Sequence, residues 1–230
     1  MTILAAMGID SEGKKRILGI AEGGSENSIV VKSLLQDLID RGLNADQPRL
    51  YVLDGGKALH KGVRDTFGKN AMIQRCQVHK KRNVLSHLPD SAKANVSINM
   101  TMAYREFDYE TANSKLVAIA SELEYKYPKA AASLLEGLEE TLTAHRLKVP
   151  GMLRETLCST NPMESANSAC RGIIRRVTNF RDGEMALRYA AAGFIEAERG
   201  FRRIKGYRQL PILSAMLATQ CSGTLSIKTA

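Results

Sequence analysis

The stretch Arg49-Leu-Tyr-Val-Leu-Asp-Gly-Gly56 decides the fold class. Leu50 to Leu53 is a short continuous apolar run, the pattern of a strand buried on both faces of a helix-covered sheet. Asp54 follows at the strand's carboxyl end, where an open α/β sheet has its ligand-binding crevice. Gly55 and Gly56 let phosphate or a metal approach the backbone closely. An Asp after a strand also serves as a turn former or helix cap, so from this stretch alone both roles stay open.

Outward from it, a helix runs to about Phe67 and is closed by Gly68; Met72 to Cys76 is the next strand. The basic block at 79–83 opens a helix that Pro89 ends. Upstream, residues 2–9 and 15–20 read as two strands joined by the turn Asp10-Ser-Glu-Gly13. Gly23-Gly-Ser25 then opens a helix whose apolar stripe is Val30, Val31, Leu34, Leu35, Leu38 and Ile39, with Gly42 as its stop. From 90 to 150 the pattern is helical only: Asp108 caps a helix carrying Leu116, Ile119, Ala120 and Leu123, and Pro150-Gly151 punctuates the exit. Strand-like segments therefore precede residue 80. The expected fold class is α/β, with a first part at 1–89, an all-helical insertion at 90–150, a resumed core at 151–213 and a tail at 214–230.

The 230 residues are 44% hydrophobic, enough for a sizeable core, and 33 Lys plus Arg against 24 Asp plus Glu leave a net charge of +9. That surplus suits a polyanionic partner, nucleic acid first; a basic protein with no such partner is the alternative. Between Arg171 and Arg208 there are ten Lys or Arg and four acids, on helices expected at 162–176 and 182–204. The four cysteines lie far apart in a chain too large to need staples, which reads as reduced intracellular thiols. The start has no basic segment ahead of its apolar residues, so it is not read as a signal peptide. No uncharged run reaches the ~20 residues of a membrane span. A cytoplasmic, nucleoid-associated protein with no membrane partner is expected.

Glu164 has two readings. Asn161 is a good N-cap, Pro162 fits the first helical position and Glu164 the third, which is a capping box; the same carboxylate at a helix start could bind a cation. Cys76 and His79 have the spacing of half a zinc site, with no second half in sequence. His79, Lys80, Lys81 and Arg82 at a helix start suit phosphate, and a solvated charged face is the competing reading. His60, His87 and His145 are read as structural or surface residues.

Three blocks, Leu53-Asp-Gly-Gly-Lys57, Gln74-Arg-Cys-Gln-Val-His-Lys-Lys-Arg-Asn83 and Ser159-Thr-Asn-Pro-Met-Glu-Ser-Ala-Asn167, occur in the order typical of the Mutator-type transposases of bacterial insertion sequences, and the hairpin Met7 to Gly19 also looks like that family. The similarity runs to about Leu213. The resemblance implies an RNase H-like mixed sheet, with the helical insertion before the last acid. It implies an Asp-Asp-Glu triad holding two divalent cations, Mg²⁺ or Mn²⁺, for DNA strand cleavage and transfer at insertion-sequence ends and target DNA. By this resemblance Asp54 is the second acid and Glu164 the third, both metal ligands, and Cys76, His79 and Asn161 match the family's signature. DNA contacts fall to His79, Lys80, Lys81, Arg82, Arg171, Arg175 and Arg176, in a homo-oligomer when intact. The departure is at the start: the family's first Asp, on a central strand ahead of the hairpin, has no counterpart. The expectation is an N-terminally truncated transposase with unpaired sheet edges and weakened activity. Its alternatives are a non-catalytic DNA-binding remnant and an unrelated RNase H-like nuclease.

Overall fold

The computed structural model describes residues 3–23, 27–175, 177 and 179–223. They form four strands, β1 (Ile3–Ile9), β2 (Lys15–Glu22), β3 (Arg49–Leu53) and β4 (Ala71–Arg75). Helices α1 (Ser28–Asp40), α2 (Lys57–Phe67) and α3 (Gln77–Ser86) occupy the first part. The insertion supplies α4 (Asp90–Arg105), α5 (Tyr109–Glu124), α6 (Pro128–Leu135), α7 (Leu138–Thr141) and α8 (Thr143–Arg146). The chain continues in α9 (Gly151–Leu157), α10 (Asn161–Ile174), α11 (Gly183–Arg199) and α12 (Leu210–Gly223). The result is mixed α/β, mostly helical. The described strands make two pairs, β1-β2 and β3-β4.

The chain divides into two compact units that do not follow its linear order: residues 1–49, 56–71 and 161–230, and residues 50–55 and 72–160. In the first, β1 and β2 pair antiparallel around the expected turn. Asp10 Oδ1 accepts from the Glu12 and Lys14 amides at 2.9 and 2.8 Å, and Gly13 takes a φ of +76° that other residues resist. Ala5, Met7, Ile17 and Ile20 pack on α10 and α11 through Ala166, Cys170 and Phe194. Gly19 lies so close to α1 that a methyl there would meet Leu34 at 2.9 Å. Helix α1 starts from Asn27, whose side chain accepts from the Ile29 amide at 2.9 Å. The expected opening at Gly23-Gly-Ser25 is thus too early, and Gly24 and Ser25 lie outside the described residues. Its stop is as expected: Gly42, at φ +105°, donates to Ile39 O at 2.8 Å.

In the second unit the core is built mainly by α4, α5 and α6. Met100, Leu116, Leu134 and Leu142 are fully buried, and Val84 of α3 joins them. The capping role of Asp108 holds, its carboxylate accepting from the Thr111 amide at 2.9 Å. Strand β3 was expected to be buried on both faces, yet all of its residues are only half-buried, and among the described strands it pairs with β4. The insertion supplies polar partners to β4: Thr143 Oγ1 donates to Ile73 O at 2.6 Å, and Gln74, fully buried, accepts from the Ala144 amide and donates to Thr141 O, both at 2.8 Å. These bonds satisfy polar groups that burial would otherwise strand. Helix α11 ends at Arg199, short of the expected 204, and α12 continues to Gly223 where a tail was read from 214. Residues 224–230 lie outside the described part.

Candidate functional site

Asp54 is exposed at the end of β3, on the rim of a small polar cleft of about 40 Å³ that Gly55, Arg75, Lys80, Asn83 and Glu136 also line. The backbone on either side of it is held. Just before it, Leu53 O accepts from the Cys76 amide at 2.7 Å; just after it, Gly55 O accepts from Arg75 Nη2 at 2.9 Å. Gly55 sits at φ +100°, a conformation that turns the chain sharply after the acid and suits glycine alone.

Arg75 is nearly buried and reaches the insertion as well, donating through Nη1 to Glu136 O at 2.9 Å. Lys80, 4% exposed, donates through Nζ to the carbonyls of Ser133 and Glu136, both at 2.6 Å. Burial lowers the Lys80 pKa, and Arg75 lowers it further, against the pull of Glu136. Burial would raise the Glu136 carboxyl, but Arg75 and Lys80 outweigh it and hold it below the usual range. Lys80 was expected to meet phosphate. Its ammonium instead closes the C-terminal end of α6, where carbonyls lack helical partners. Lys81 is half-buried and donates to Thr101 Oγ1 at 3.0 Å, while Arg82 is exposed. The basic run is therefore split: one member is internal, one is tied to α4 and one is outward.

Helix α3 begins at Gln77, with Cys76 as its N-cap through the sulfur. Cys76 Sγ, almost wholly buried, lies 3.3 Å from His79 Nδ1 and accepts from the Thr160 amide at 3.4 Å. Thr160 Oγ1 lies 3.4 Å from the same sulfur and 3.2 Å from His79 Nδ1. Gln77 adds a backbone bond from its amide to Cys158 O at 2.8 Å. The two signature residues thus face each other and a threonine. Cys158, which sequence spacing could not pair, is pushed up to about 12 by burial and stays a thiol. Among the described residues no group of three His, Cys, Asp or Glu could hold a metal. Among these residues the half-site spacing of Cys76 and His79 finds no second half.

Glu164 is half-buried in the first turn of α10, and Arg171 and Arg175 are exposed toward that helix's other end. Arg176 lies outside the described residues. Asp54 belongs to the second unit and Glu164 to the first. Sequence reading did not find the roles of Arg75, Glu136 and Thr160. Arg75 was inside a quoted block, but nothing in its spacing revealed which distant carbonyls it bonds.

The Mutator-family transposase profile matches residues 1–203. The chain is 30% identical over 171 residues to the transposase for insertion sequence element IS6120 of Mycolicibacterium smegmatis, covering 74% of this chain and 51% of that protein. It is 30% identical over 205 residues to the transposase for ISRM5 of Rhizobium meliloti, covering 89% and 50% respectively. With the transposase for IS256 in transposon Tn4001 of Staphylococcus aureus it shares 29% identity over 168 residues, 72% of this chain and 42% of that one. The chain spans about half the length of these curated relatives. No helix among the described residues is long and apolar enough to cross a membrane. With the match running from the hairpin through α11, the chain belongs to the Mutator family of insertion-sequence transposases.

Proposed function

We propose that this chain carries out DNA strand cleavage and transfer at insertion-sequence ends, with Asp54 and Glu164 as two of its catalytic carboxylates and an RNase H-like arrangement of its α/β part. The observation that carries the reading is the exposed Asp54 carboxylate, presented at the end of β3 between two hydrogen-bonded carbonyls. The backbone that carries this exposed carboxylate is thereby fixed on both sides.

Transposases of this family are generally metal-dependent. The donor chemistry here fits a hard cation: Mg²⁺ is commonly held by one or two carboxylates, with waters and substrate phosphates completing its shell, so a cluster of three protein ligands is not required. Asp54 and Glu164 each offer a carboxylate of the kind that ligates such a cation. When bound, such a cation polarises a phosphoryl oxygen and lowers the pKa of a coordinated water. The chain's own residues do the rest. Arg75 fixes the turn after Asp54; nearly buried and engaged by two carbonyls and the Glu136 and Glu140 carboxylates, it leaves phosphate contacts to other cations. Arg82, Arg171 and Arg175, all exposed, are proposed to engage the DNA backbone; His79 and Lys81 stand nearer the protein interior and fit a supporting role. Homo-oligomeric assembly on DNA belongs to the same proposal.

The test is a strand-transfer assay with a linear fragment ending in the terminal repeats of the parent element and a supercoiled target plasmid, in Mn²⁺. Joined strands are expected. Nicks without joined strands would replace a transposase with a nuclease, and bound but unbroken DNA would leave only a binding protein.

A further inference from the structure

We infer that the segment Arg75-Cys76-Gln77-x-His79 is a positioning device that holds the turn of Asp54 from both sides and the segment 158–160, the stretch that leads into α10. Its functional meaning rests on the reading of Asp54 and Glu164 given above; the device itself stands on geometry within one compact unit. Three consecutive residues take different tasks. The Arg75 guanidinium holds Gly55 O at 2.9 Å, and the Cys76 amide holds Leu53 O at 2.7 Å, so the peptide groups flanking Asp54 are both fixed. The Gln77 amide holds Cys158 O at 2.8 Å. The Cys76 sulfur and His79 Nδ1 then gather the Thr160 amide and hydroxyl within 3.2–3.4 Å. Thr160 is the residue before α10, four positions ahead of Glu164.

The chemistry explains why a cysteine and a histidine serve. The sulfur caps α3, its contact with the His79 amide being 3.5 Å, and still reaches Thr160. A larger, softer acceptor spans three donors that a hydroxyl oxygen, on a bond shorter by about 0.4 Å, would reach less well. His79 Nδ1 sits against both partners, so either ring tautomer finds a donor or an acceptor there. Neither residue needs to touch metal or DNA for its loss to matter. Freed from the clip, the 158–160 segment could shift by an ångström, which is enough to spoil a reacting geometry.

Hydrogen–deuterium exchange on the full 230-residue chain tests this without DNA or metal. In Cys76→Ala, exchange at Thr160 and in the second turn of α10 should rise about tenfold, while α4 and α5 amides keep their rates; Cys76→Ser should recover part of the protection, and Thr160→Val should loosen the same segment. Arg75→Gln should instead loosen residues 54–57. An unchanged rate at Thr160 in Cys76→Ala overturns the inference, as does a rise spread evenly over α4, α5 and α10, which marks a merely structural thiol. Nicking is read separately: Cys76→Ala should slow it about tenfold at unchanged DNA affinity, with Cys76→Ser in between. If the wild-type chain never breaks DNA but the exchange pattern holds, the catalytic reading fails and the clip survives.

Discussion

Gly137 shows how much a single residue can decide. It holds a φ of +62°, and a methyl there would come within 2.2 Å of Arg75 Nη1. Gly137→Ala should destabilise the chain by about 2 kcal/mol, half from the left-handed backbone and half from displacing the guanidinium, as read by urea unfolding. Loss of less than about 0.5 kcal/mol would mean that Arg75 moves freely. His145 makes a second residue-scale case. It is 2% exposed in the insertion, its Nε2 donates to Tyr104 O at 3.1 Å, and burial, aided by Arg154, lowers its pKa from 6.5 to about 4. The unfolded chain takes up the proton near pH 6.5 and the folded chain only near 4. Stability should therefore fall as pH drops from about 6.5 to about 4, by up to about 3 kcal/mol, and level off below. In His145→Gln that slope should vanish from urea titrations across this range. Sequence alone left His145 as a structural or surface residue, because its burial depends on helices far along the chain.

Helix α3 carries its meaning on two faces. One face is internal, through Cys76, Lys80 and Val84; the other presents Arg82. A basic run reads identically in sequence whichever way each residue points, which is why Lys80 and Arg82 were expected to act alike. Their mutants should separate them. Lys80→Met strands the carbonyls of Ser133 and Glu136 and should cost about 1–3 kcal/mol of stability, leaving the salt dependence of DNA binding alone. Arg82→Ala should leave stability within about 0.5 kcal/mol and reduce the magnitude of the log–log salt slope by about one. Equal effects of the two on DNA binding would contradict the split. Elements with strong periodicity were legible: the β1-β2 hairpin, the apolar stripe of α1, though not its start, and the Asp108-capped α5 fall where the spacing put them. Helix α12 was missed, although Leu213 and Leu217 are buried and Leu210 and Met216 half-buried along it.

At the scale of the whole molecule, the strand segments were legible and their assembly was not. A mixed sheet lacking its central strand, with unpaired edges, was expected, and the described strands pair two by two; sheet order depends on long-range partners that periodicity does not encode. The sequence order of the acid-bearing blocks was readable as well, since each sits at a strand or helix boundary with its own turn chemistry. The clip between Cys76 and Thr160 was not, as it joins residues 84 positions apart. The central claim is that Asp54 and Glu164 do chemistry on DNA in a chain carrying a charge of +9. The most direct measurement is nicking of supercoiled plasmid in Mn²⁺ by the wild-type chain beside Asp54→Asn and Glu164→Gln, with DNA binding followed in parallel. The account predicts nicking that falls at least about a hundredfold in each variant at unchanged DNA affinity. Nicking that persists in either variant, or DNA bound by the wild-type chain and never broken, would contradict it.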